Sequence, residues 1–96
     1  MRIRSFGHKG LKRFYETGDR RGIPTQFGAK LEDIIHAIEQ ARSVTQIGLF
    51  PGWRLHGLKG KRRGEWSFWV TGNFRLTFRV DGEDVWDIDF EDYHGK

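Results

Sequence analysis

Ninety-six residues without a cysteine, at net charge +4, exclude disulfides and thiolate metal centres and suit a reducing compartment. A chain this short buries only roughly 60–65% of its unfolded surface, so eight Phe, four Trp and two Tyr must supply much of the core. No apolar run approaches the ~20 residues of a membrane span, and Met1–Arg4 lacks the apolar stretch of a signal peptide. A cytoplasmic, membrane-independent protein of one domain, residues 1–96, is therefore expected.

In chain order, Met1–Phe6 reads as a short strand with Ile3 and Phe6 apolar. Leu11, Phe14 and Tyr15 at helical spacing beside Lys9, Lys12 and Arg13 predict an amphipathic helix over Lys9–Thr17, which Gly18–Pro24 breaks. Leu31, Ile34, Ile35 and Ile38 predict a second helix from about Thr25 to Arg42. His8 falls near the start of the first helix and reads as a cap or surface residue; His36 in the second reads as exposed.

After Gly48 the period changes to two. Trp53–His56 reads as a strand, Gly57–Gly64 as a turn, and Trp66, Phe68 and Val70 alternate with Ser67, Trp69 and Thr71 in a half-buried strand. Gly72-Asn73 turns the chain into a strand with Phe74, Leu76, Phe78 and Val80 on one face and Arg75, Thr77 and Arg79 on the other. Asp81-Gly82 is a hairpin signal, and the last strand returns with Trp86, Ile88 and Phe90 expected inward. The sum is an α+β fold, β-α-α-β-β-β-β: two N-terminal helices packed on an antiparallel meander sheet.

Charge is distributed unevenly. Residues 1–63 hold fourteen of the seventeen Lys/Arg and five of the thirteen Asp/Glu, a balance of +9; residues 64–96 hold three and eight, a balance of −5. A basic portion of this strength suits a phosphate backbone, whose condensed counterions it releases, although ordinary solvation of a small surface explains charge alone equally well.

Three segments hold residues fit for chemistry. Arg54 to Arg63 places His56 at a strand end, with Lys59, Lys61, Arg62 and Arg63 in a glycine-flanked turn open to a phosphate. Arg75 stands on the polar face of its strand. Glu91-Asp92-Tyr93-His94 lies at the chain's end. Hairpin neighbours lie about 4.8 Å apart, so a meander can bring the three together. RNA cleavage by its own 2′-hydroxyl needs a base for that hydroxyl, a cation for the crowded phosphorane and an acid for the departing 5′-oxygen. Histidine titrates near neutrality and can serve either way. Cations around His56 favour the accepting role, and Asp92 beside His94 favours the donating one. Four His and many carboxylates show no close ligand pair such as HxxxH, so no metal and no cofactor are expected. Trp69, on the outward parity, is free either to stack on a base or to cover the sheet against a partner.

The opening Ile3-Arg4-Ser5-Phe6-Gly7-His8-Lys9-Gly10-Leu11 resembles the start of HigB-type toxins, the plasmid killer proteins of the RelE/ParE superfamily. So do Leu55-His56-Gly57-Leu58-Lys59-Gly60, Gly64 to Val70, Asn73 to Phe78 and the closing Glu91-Asp92-Tyr93-His94. The chain departs at Gly57, where relatives often carry proline, and at Phe74, where they often carry tryptophan. The resemblance implies a RelE-like fold and ribosome-dependent cleavage of mRNA in the ribosomal A site, on the small subunit. It also implies neutralisation by a HigA-like helix-turn-helix antitoxin, with operator DNA reached only through that antitoxin. Carried over by position, His56, Asp92 and His94 become proton-transfer candidates, Lys59 and Arg75 ligands of the scissile phosphate, and Tyr93 a substrate-positioning group. Arg54, Lys61, Arg62 and Arg63 stand beside them as RNA-binding candidates. Two other functions stay open on the residues: a ParE-like toxin acting on DNA gyrase without catalysis, and a small basic RNA-binding module.

Overall fold

The computed structural model describes residues 1–49 and 52–92. Its elements are β1 (Arg2–Ile3), α1 (Lys9–Thr17), α2 (Gly28–Gln40), α3 (Val44–Ile47), β2 (His56–Gly57), β3 (Glu65–Thr71), β4 (Phe74–Asp81) and β5 (Asp84–Asp92). Short 3-10 turns at Thr25–Phe27 and Gly60–Arg62 precede α2 and β3. The α+β class and helix-before-meander order expected from the sequence hold. The sheet runs β1-β5-β4-β3-β2. Neighbours from β2 to β5 are antiparallel, and β1 adds one parallel edge against β5.

Helix α1 occupies the span that its apolar spacing predicts. Leu11 and Phe14 are its buried residues, His8 caps it by accepting the Leu11 N–H at Nδ1 (3.0 Å), and left-handed Gly18 ends it. The second helix starts and stops inside the expected limits. Thr25–Phe27 winds as a tighter 3-10 turn, and the chain extends at Ala41 (ψ 151°) before Ser43 caps the separate helix α3. His36 is exposed, as expected.

Both long helices lie on one face of the sheet. Leu11, Leu31, Ile34, Ile38 and Ile47 pack there with Phe68, Val70, Leu76, Phe78, Val85, Ile88 and Phe90 in one apolar cluster. The inward placement of Trp86 is corrected: it is 40% exposed. Register between β4 and β5 shifts between Thr77 and Arg79, and Asp87 adopts φ +56°. This bulge inserts a residue and inverts the alternation upstream of it, so Val85 rather than Trp86 meets the core. Ser5 holds the bulge: its Oγ accepts the Asp87 N–H at 2.9 Å, and its carbonyl accepts the Ile88 N–H at 3.1 Å.

The opposite sheet face is polar. Trp69, Arg75 and Glu91 stand in one cross-strand row, and His56, Ser67, Thr77 and Asp89 in the next. These rows carry the site.

Candidate active site

Alternation on β3 and β4 turns Phe68, Val70 and Leu76 into the core and so presents Ser67, Trp69 and Arg75 on the open face. There β2, the turn after it and the Gly72-Asn73 turn enclose an open depression of about 600 Å³. His56, Lys59 and Arg75 line it together, with Arg54, Trp69 and Asn73 beside them and Ser67 in the strand beneath. Two segments separated by the whole of β3 thus meet at one place.

His56 is exposed, and its Nδ1 lies 3.0 Å from the Arg54 carbonyl oxygen. A carbonyl only accepts, so Nδ1 carries the proton and Nε2 keeps the lone pair of the neutral ring. Arg54 reaches that geometry at φ +50°, unusual for a side-chain-bearing residue. Its guanidinium rests 5.0 Å from the Trp69 ring centroid, and the Lys30 ammonium lies 5.2 Å from the same ring. Trp69 is fixed in turn by its Nε1–H, which donates to the Gly72 carbonyl at 3.0 Å.

Arg75 is 9% exposed, and its Nη2 lies 3.9 Å from Glu91 Oε1. Glu91 accepts from Thr77 Oγ1 (2.7 Å) and from both terminal nitrogens of Arg62. Arg62 also grips Glu65, from Nε at 3.1 Å and Nη2 at 2.8 Å. Hydrogen bonding to Arg62 holds both carboxyls below the usual carboxylate range, with Thr77 a lesser contributor at Glu91. Of the four basic turn residues, Lys59, Lys61 and Arg63 are exposed, while Arg62 faces carboxylates.

Asp92 ends β5 opposite Phe74 and is exposed. It shares the parity of Phe90 and does not line the depression, although its cross-strand neighbour Phe74 does. Tyr93 and His94 lie outside the described residues. Sequence reasoning passed over Ser67 and Asn73. Ser67 is 1% exposed, and its Oγ has no hydrogen-bond partner among the described residues. Its outward parity was readable, but nothing in the sequence marks a serine as buried beneath a concavity. Asn73 carried only a turn signal.

Solved structures share this architecture. A YoeB/ParE toxin from Agrobacterium tumefaciens matches with TM-score 0.59 at 18% identity, over 95% of this chain and 99% of that one. The YoeB dimer from Staphylococcus aureus matches with TM-score 0.60 at 18% identity, over 98% and 97%. At such identity they establish a shared fold and nothing of function. Sequence narrows the class: the profile of the HigB-like toxins, RelE-like toxins of the type II toxin–antitoxin system HigB, matches residues 4–94. Endoribonuclease HigB of Proteus vulgaris is 39% identical over 92 residues, 96% of this chain and 99% of its own length. The chain belongs to the HigB-like toxin family. Membership carries an antitoxin partner with it. No helix among the described residues is long and apolar enough to cross a membrane.

Proposed function

We propose that this toxin cleaves messenger RNA on the ribosome through attack of the 2′-hydroxyl on its own phosphodiester. The coarser part, an endoribonuclease of a type II toxin–antitoxin module, rests on the family and on 39% identity along nearly the whole chain to an endoribonuclease. The finer part is carried by one observation: His56, Lys59 and Arg75 converge on a single open depression.

His56 Nε2 takes the 2′-hydroxyl proton, while the Nδ1–H bond to the Arg54 carbonyl holds the ring in its accepting tautomer. The freed oxygen attacks phosphorus. Lys59 and Arg75 meet the charge that develops on the phosphorane oxygens, a role that calls for no metal. The P–O5′ bond breaks, and His94 or Asp92 returns a proton to the leaving oxygen, giving a 2′,3′-cyclic phosphate and a 5′-hydroxyl. Tyr93 positions the substrate. Arg54, Lys61 and Arg63 supply cations along the RNA path. The partners are a HigA-like helix-turn-helix antitoxin, which alone touches operator DNA, and the A site of a cytoplasmic ribosome.

The test is induction of the protein in bacterial cells with transcript 5′ ends mapped, in parallel with His56→Ala and His94→Ala. Cuts within translated frames that vanish when ribosomes are withheld in vitro, and in both variants, support the scheme. DNA damage over intact transcripts, or RNA binding without cuts, overturns it.

A further inference from the structure

The charge run Lys59–Arg63 reads in sequence as one phosphate clamp, yet the first of its two arginines has a different environment. Arg62 donates four hydrogen bonds to two carboxylates, two to Glu65 and two to Glu91, the latter 29 residues away. These contacts take up most of the N–H donors of the guanidinium, which leaves it little to offer a phosphate. What the contacts do is mechanical. Arg62 sits on the turn that follows Lys59, whereas Glu91 sits on β5, immediately before Asp92 and across from Arg75.

We propose that Arg62 and Glu91 form a positioning clamp. It fastens the turn bearing Lys59 to β5 and fixes the Arg75 guanidinium at the floor of the depression. The proposal rests on the nuclease reading above, because it assigns the clamp's purpose to alignment of those groups. The guanidinium fork meets Glu91 at 2.9 and 2.5 Å, a planar, two-point geometry that sets orientation as well as distance. Thr77 Oγ1 adds a third constraint on the same carboxylate, and Arg75 Nη2 lies 3.9 Å from its other oxygen. Side-chain exposures of 37% for Arg62 and 25% for Glu91 mean that such a pair adds little to global stability. Alignment asks less of it, since a displacement of about 1 Å in a reacting group can lower a rate roughly 100-fold.

The experiment uses the full chain with Glu91→Gln, Arg62→Gln, the double variant and Arg62→Lys. Steady-state cleavage of ribosome-bound message gives kcat and KM, the salt dependence of RNA binding is followed, and tryptic digestion of the Lys59–Arg63 turn is timed. Each single Gln variant is expected to lower kcat by about 10- to 100-fold, as misplacement of the aligned groups by up to about 1 Å would, with KM within about twofold. The double variant should be no worse than the worse single, because both break one contact. Arg62→Lys should recover part of the loss. Glu91→Gln, which leaves every tryptic site in place, should be cut faster at the turn. An Arg62→Gln variant with raised KM and a flatter salt slope, beside a Glu91→Gln variant that cleaves normally, makes Arg62 an RNA ligand and overturns the clamp. Should Arg62→Gln not fold, Glu91→Gln decides alone. Digestion needs no RNA cleavage, so faster nicking of Glu91→Gln beside a wild-type protein that cuts no message sinks the nuclease reading and leaves the clamp standing. Unchanged nicking sinks the clamp.

Discussion

The Nδ1 atom of His56 faces the carbonyl oxygen of Arg54, two residues upstream, at 3.0 Å, and this contact leaves Nε2 as the basic nitrogen of an exposed ring. His56→Ala removes the proposed base and little else, because the ring contributes nothing to the apolar cluster. Cleavage of ribosome-bound mRNA should fall by about 100- to 10,000-fold. Denaturant unfolding should move by no more than about 0.5 kcal/mol, as for most surface changes. A variant that cuts at the wild-type rate removes His56 from the mechanism.

The close approach of Gly10 to Gly22 makes a packing prediction. A β-carbon built on Gly10 would collide with the Gly22 carbonyl oxygen, a backbone atom with no flexible side chain to yield. Gly10→Ala should therefore cost at least about 1–3 kcal/mol, the range of an overpacked interior. Gly57→Ala is the contrast. Among the described residues its β-carbon meets only Trp66, at 3.9 Å, so it should be neutral or stabilise by about 0.4–1 kcal/mol through the unfolded chain. Urea melts of the two variants side by side check both.

What the sequence made legible follows from the range of the forces involved. Helix α1 and the β3–β4 hairpin are set by spacing and turn residues within a few positions, and there expectation and structure agree. Trp86 went astray because the Asp87 bulge depends on Ser5, eighty-two positions away, and no local pattern announces it. The parallel seat of β1 beside β5 is hidden for the same reason. At the site, His56, Lys59 and Arg75 were legible as chemical types and do converge. The ion pairs of Arg62 were not, since a charge run says nothing of the carboxylates that will face it.

Ser67 gives a prediction of opposite sign to most core changes. Its hydroxyl is buried with no partner among the described residues, and an unmet buried polar group costs about 1–3 kcal/mol. Ser67→Ala should hold stability level or raise it by about 1 kcal/mol in thermal or denaturant melts. A loss of more than that would reveal a partner for the hydroxyl in solution.

Lys61 and Arg63 are, with Lys59, the exposed cations of the turn, whereas Arg62 faces carboxylates. Each phosphate neutralised on single-stranded RNA contributes about 0.7 to the slope of log affinity against log salt. Lys61→Ala with Arg63→Ala should thus flatten that slope by about 1.4. The steady-state kcat at saturating substrate should persist. An unchanged slope would place the RNA path elsewhere on the surface.

The pairing of α1 with α2 through Tyr15 and Glu39 carries a pH signature. Tyr15 donates its hydroxyl to Glu39 Oε2 at 2.5 Å, and that hydrogen bond, then burial, then the carboxylate's charge, push the phenol up to about 12 from an ordinary 10.0. A folded-state value above the unfolded one means the neutral phenol is favoured by folding. The stabilisation is then complete below pH 10 and drains away as pH climbs through 12. Tyr15→Phe removes the titrating group and should lessen the loss of stability across that window, while lowering stability slightly at neutral pH. Because the ring is 38% exposed, solvent screens the pair, and the neutral-pH effect should stay within the range of about 0–1 kcal/mol typical of surface polar pairs. Denaturant melts of both proteins at pH 8, 10 and 12, with a spectrophotometric phenol titration taken as the difference between them, decide the matter. A Tyr15 that ionises at its ordinary value would mean that the two helices are not joined at this point.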